Sequence, residues 1–145
     1  MTVQEKPAVI VVSHGTLCEG LVSATSMIYG QLDRVEALPL RVGMDPEEYL
    51  GELRDLVASY GGNVVLLADI MGGTPFNSIM KLGRELPLYA VAGMSMPLLL
   101  AVLEYREAGS DPATICASAS ADGASAVVDM TPKLKQFLDM ANEER

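Results

Sequence analysis

Short apolar runs alternate along this chain with longer amphipathic stretches. Ala8–Val12 is a continuous apolar run that stops at Ser13-His14-Gly15, as expected of a strand buried on both faces. Leu17, Leu21, Ala24 and Ile28 then recur at helical spacing, with Gly30 as a stop. Val35–Val42 reads as a second strand. Pro39 sends it to a sheet edge, because proline has no N–H for a ladder. Asp45-Pro46-Glu47-Glu48 opens a helix: Asp45 caps, Pro46 suits the first position and Glu48 can close a capping box. Its stripe is Leu50, Leu53, Val57 and Tyr60, and Gly61-Gly62 ends it.

Val64–Ala68 is the third strand, and it ends at Asp69. After Ile70-Met71-Gly72-Gly73, Thr74-Pro75 reads as a cap and a first helical residue. Leu86–Ala92 is a fourth strand, followed by a helix over Ser95–Glu107 with Pro97 in its first turn. Asp111-Pro112 starts an Ala/Ser-rich helix that weakens at Gly123, and Ala126–Asp129 reads as a short fifth strand. Thr131-Pro132 caps a last helix with Leu134, Phe137, Leu138 and Ala141 on one face. With no repeat and no linker, the 145 residues predict one α/β domain, with an N-terminal extension at 1–7 and a C-terminal helix at 131–145. The alternation predicts an open sheet of four parallel strands with helices on both faces. Such a sheet holds its ligand outside the carboxyl ends of the strands. The loops beginning at Ser13, Gly43, Asp69 and Gly93 are therefore where function is sought.

Composition narrows the partners. Ten Lys+Arg against nineteen Asp+Glu leave a net charge of −9. That argues against nucleic acid and against a polybasic membrane surface, both of which need basic faces. Cys18 and Cys116 do not make a disulfide scaffold. Met1–Pro7 lacks the basic start and apolar run of a signal peptide. The longest apolar stretch, Val91–Leu103, is shorter than the roughly 18 residues of a membrane span and contains Gly93 and Pro97. A reducing cytoplasm is the expected compartment. One histidine excludes a histidine-rich metal cluster, and no metal or cofactor is expected.

The candidate chemistry gathers at two strand ends. His14, the only histidine, stands at the end of the first strand, beside a glycine that lets the backbone bend. Asp69 ends the third strand, where an apolar pattern gives no reason for an acid. If these strands are neighbours, Asp69 can hold one ring nitrogen of His14 and leave the other bare as a nucleophile. Gly72-Gly73-Thr74-Pro75 makes a turn into a helix start, where amides and partial positive charge suit an anion. Taken alone that segment is ordinary turn chemistry, neither a Walker loop nor a dinucleotide fingerprint. His14 with Cys18 falls short of a metal site for want of further ligands.

Three segments in order, VIVVSHGT at 9–16, LADIMGGTPFN at 67–77 and VAGMSMPLLL at 91–100, resemble the IIA component of the mannose/fructose/sorbose family of the bacterial sugar phosphotransferase system. The resemblance spans about residues 8 to 130. It implies a phosphocarrier that takes a phosphoryl group from the protein HPr and passes it to a separate IIB component, meeting the membrane only through the transporter complex. It implies His14 as the phosphorylated residue, on its ε nitrogen, and Asp69 as the acid that orients it. It implies Gly15, Thr16, Gly72, Gly73 and Thr74 as the residues around the phosphoryl group. It also implies a homodimer in which Ala126–Asp129 is exchanged as an edge strand. Met71 stands where several members carry Trp. Two other functions fit the same residues: the phosphotransfer subunit of a dihydroxyacetone kinase system, and a regulatory module that holds an anion without covalent chemistry.

Overall fold

The computed structural model describes residues 5–145, so Met1–Gln4 of the expected N-terminal extension lie outside the described residues. The elements are β1 (Ala8–His14), α1 (Leu17–Tyr29), β2 (Val35–Leu40), α2 (Pro46–Ser59), β3 (Val64–Ala68), α3 (Gly73–Leu82), β4 (Tyr89–Ala92), α4 (Met96–Glu107), α5 (Pro112–Ser125) and α6 (Thr131–Glu143). The four strands form one parallel sheet in the order β2-β1-β3-β4. Pro39 lies in the edge strand β2, as its missing N–H requires.

The central strands carry the core. Every residue of β3 and the first six of β1 are buried. Alternate side chains feed two clusters. Val9, Val11, Val65 and Leu67 meet α1, α4 and α5 on one face. Ile10, Val12, Leu66 and Ala68 meet α2 and α3 on the other. Each fully buried side chain of this size contributes about 1.5–3 kcal/mol, so β1 and β3 are the most firmly held segments of the chain.

The helix after β1 and the helix after β3 thus pack on opposite faces, which opens a crevice between the carboxyl ends of these two strands. Position is set by register: Val12 pairs with Ala68, and the Asp69 amide donates to the Val12 carbonyl at 3.2 Å. His14 and Asp69 leave the sheet side by side.

Several boundaries differ from expectation for local reasons. β1 runs on through Ser13 to His14, because β2 extends far enough to pair with it. β4 is only Tyr89–Ala92, the stretch that finds partners on β3. α5 continues through Gly123 to Ser125, since Gly123 packs on Leu98 so closely that a Cβ there would lie 3.1 Å from the Leu98 Cβ. Within this chain Val127–Asp129 is therefore an exposed connection and pairs with no strand.

Candidate functional site

The site is built from the backbone outward. Ser13 is fully buried; its hydroxyl accepts from the Cys18 amide at 2.8 Å and donates to the Gly15 carbonyl at 3.1 Å. These two bonds brace the turn from β1 into α1. Gly15, at φ +53°, makes that turn without a Cβ penalty. Its amide donates to the Leu40 carbonyl at 2.8 Å, so Gly15 shapes the loop beside His14.

Asp69 grips His14 twice with one oxygen. Its Oδ2 accepts from the His14 backbone amide at 2.9 Å and lies 2.8 Å from the ring Nδ1. Its Oδ1 accepts from the Ile70 amide at 3.0 Å. Burial pushes the Asp69 carboxyl up, but the bonds from His14 and Ile70 outweigh it and hold the acid below its ordinary range. An ionised carboxylate only accepts, so Nδ1 is the donor, and in the neutral ring Nε2 carries the lone pair. The Asp69 side chain is 7% exposed and that of His14 is 48% exposed. The anchor is buried, whereas the ring, with Nε2 as its unheld edge, is half exposed.

That edge lies against α3. A Cβ on Gly73 would come within 2.8 Å of Cε1 and 2.9 Å of Nε2 of His14, and Gly73 has φ +84°. Space and backbone both demand glycine here. The cap of α3 is Gly72 rather than the expected Thr74, because the helix starts two residues earlier than expected, at Gly73 rather than Pro75. Thr74 becomes the second helical residue, and its hydroxyl does no capping. Gly73 and Thr74 amides have no carbonyl to reach inside the helix, and Pro75 at the next position has no amide to leave unsatisfied. Thr16 caps the start of α1 without a side-chain bond and is exposed at the same mouth.

The remaining expected loops contribute less. The Gly93 loop opens instead into an apolar cavity of about 320 Å³, lined by Met94, Ser95, Leu98, Gly123 and Val127. Met94 and Met96 are half-buried against the core. Around His14, by contrast, Leu17, Val42, Ile70 and Met71 stand exposed.

Two residues escaped the sequence reading. Ser13 was visible as a hydroxyl ending an apolar run. Arg106 continues the buried stripe Leu99, Val102 and Leu103 of α4, a place where a charge is out of pattern. It is buried at the opposite end of the sheet and donates to the carbonyls of Pro7, Asp33 and Arg34 at 2.7–3.2 Å. It ties the entries of β1 and β2 together and takes no part in the site.

Fold and site together define an open-sheet α/β protein that presents a carboxylate-held imidazole at the mouth of its sheet. The sequence profile of the family described as the PTS system fructose IIA component matches residues 8–119, and the chain belongs to that family, a component family of the sugar phosphotransferase system. It is 31% identical over 105 residues to the PTS system fructose-specific EIIA component of Bacillus subtilis, covering 69% of this chain and 70% of that one. It is 29% identical over 105 residues to the mannose-specific EIIAB component of Escherichia coli K12; the match covers 69% of this chain and 32% of that longer protein. Among solved structures, the mannose/sorbose specific IIA subunit from Enterococcus faecalis superposes with a TM-score of 0.77 at 26% identity, covering 86% of this chain and 95% of that one. An EIIA component from Streptococcus agalactiae, at 22% identity and a TM-score of 0.80 over 86% and 98% of the two chains, shares the fold.

Proposed function

We propose that this chain, as a single IIA domain, is a cytoplasmic phosphocarrier that accepts a phosphoryl group from phospho-HPr on Nε2 of His14 and hands it to a IIB component for sugar uptake. The observation that carries the reading is the Nδ1–Asp69 contact at 2.8 Å, which leaves Nε2 at the solvent face beside the start of α3. The Nε2 lone pair forms a bond to phosphorus as the donor's N–P bond breaks. The departing electron pair stays on the donor imidazole, and the Nδ1 proton stays where Asp69 holds it. Transfer to the acceptor runs the same exchange in reverse. Such a reaction asks the protein chiefly for position and charge stabilisation.

Each neighbour then has a task. The Gly73 and Thr74 amides and the hydroxyls of Thr74 and Thr16 face the oxygens of the phosphoryl group, with the dipole of α3 behind them. Asp69 keeps the ring in the reactive tautomer and balances the charge that develops on it. The apolar collar of Leu17, Val42, Ile70 and Met71 suits protein partners that bring their own phosphohistidine or acceptor ring to His14. Membrane contact comes only through the transporter complex. The working form is a homodimer in which Ala126–Asp129 is exchanged between subunits as an edge strand. Support for this comes from an outer edge of β4 without a partner and from exposed Val127 and Val128.

The test is incubation with phosphoenolpyruvate, enzyme I and HPr, followed by intact-mass measurement. The chain is expected to gain one acid-labile phosphoryl group, and His14→Ala to gain none. Label retained on the alanine variant, or no label on the native chain, overturns the assignment.

A further inference from the structure

Helix α6 buries none of its residues. Leu134, Phe137 and Leu138 form an apolar stripe in open solvent, and Val127, Val128 and Met130 lead into it equally exposed. A lone helix of 13 residues is marginal in water, so this stripe needs a surface. The body carries one that matches. On the α2/α3 face, α3 lies over β1 and β3, and among the described residues no β4 side chain joins the core beneath α2 and α3. Ala90 and Ala92 are exposed there, although their neighbours Leu66 and Ala68 on β3 are buried. The resulting groove, about 490 Å³, is lined by Ile79, Met80, Gly83, Arg84, Leu88 and Ala90. The opposite face of β4 is covered by α5.

We propose that α6 of one copy of this chain lies in the α3–β4 groove of a second copy, reciprocally about a two-fold axis. The proposal rests on the exchange of Ala126–Asp129 between subunits and extends it to the helix beyond that strand. Direction of the chain favours a second copy over its own groove. A left-handed glycine is a common way to end a helix and reverse the chain. No residue after Gly109 has positive φ, Ala126 and Met130 are right-handed helical, and α6 buries none of its residues against its own body. Length agrees as well. Val127–Asp129, the non-helical part of the exchanged segment, is nearly as long as the four-residue β4, and an antiparallel strand on that edge descends toward Tyr89, delivering α6 at the end of the groove lined by Leu88 and Ala90. The small side chains of Ala90 and Ala92 let a helix approach closely. Arg84 on the rim has no ion pair among the described residues, and Glu144 flanks the stripe of α6. Each subunit gives an arm and receives one, an isologous arrangement that reaches the roughly 20–30 residues a side of a specific interface.

Disulfide trapping tests this. In a Cys116→Ser background, Ala90→Cys and Leu134→Cys chains are mixed, re-equilibrated and mildly oxidised, and their mass is followed by sedimentation velocity and denaturing electrophoresis. The expected result is a covalent dimer from the mixture, with Phe137→Glu raising the dimer dissociation constant at least about tenfold, or 1.4 kcal/mol. An internal bridge in a monomeric double variant places α6 in its own groove and overturns the proposal. A dimer that forms no bridge and ignores Phe137→Glu also overturns it, while leaving strand exchange standing. A chain monomeric at every concentration removes the exchange reading and this inference together. None of these outcomes touches the labelling of His14, which tests the phosphocarrier reading separately.

Discussion

The mouth of the sheet and the C-terminal arm are opposites. At the mouth, an exposed ring is held by a carboxylate that is 7% exposed, between two strands whose residues are buried. In the arm, every residue from Ala124 to Arg145 is exposed. Contacts made within one chain complete the first region. The second has regular secondary structure and an apolar stripe, but among the described residues no contact within its own chain buries it. The lesson is that ordered helix and finished packing are separate matters: α6 is helical by propensity, with the Asp129 carboxylate accepting from the Thr131 amide at 3.0 Å in place of the expected Thr131 cap, whereas only tertiary contact stabilises it.

The sharpest way to break this contrast is at Gly73. Gly73→Ala is expected to cost about 100-fold or more in phosphoryl acceptance, since the new methyl group displaces the reactive ring. Two-dimensional NMR should show the His14 ring signals moved. Normal transfer rates in this variant would mean that the ring is not held where the structure has it.

Asp69→Asn sharpens the contrast through pH. Acceptance should slow on the order of tenfold or more, each tenfold being about 1.4 kcal/mol of barrier. The stability effect has a definite sign. The Asp69 pKa is lower in the folded state than in the unfolded chain, so its contribution is complete above the unfolded value of about 3.9 and disappears as pH falls through the folded value. The gap in unfolding free energy between native chain and Asp69→Asn should therefore be widest near neutrality and close below about pH 4. A gap independent of pH, measured by urea titration, would remove the account of Asp69 as an ionised anchor of the site.

The smallest effect is expected from the arm. Removing residues 131–145 should leave labelling of His14 unchanged, and should shift the stability of the monomeric body by no more than about 0.5 kcal/mol, as for surface changes away from the core. A large loss at low protein concentration would show that the arm supports its own chain.

Much of this was legible in the residues themselves. Ala8–Val12 and Val64–Ala68 read as strands because uninterrupted apolar runs admit little else, and a histidine and an acid at their ends stood out as departures from the pattern. Strand ends and caps were less legible. The last turn of β1 depends on pairing with β2, and the start of α3 depends on two glycines at positive φ that the cap-like Thr74-Pro75 concealed. Ser13 and Arg106 were passed over for one reason: each is a polar side chain whose partners include backbone atoms beyond the next turn or remote in sequence.

Local chemistry in the sequence was enough to single out the candidate residues, the four strands of the sheet and the helices, because periodicity and turn residues act over a few neighbours. Only the tertiary structure decided that β1 lies beside β3. That adjacency converts an acid and a histidine 55 positions apart into a contact of 2.8 Å, because strand order is chosen by how two apolar faces are covered at once.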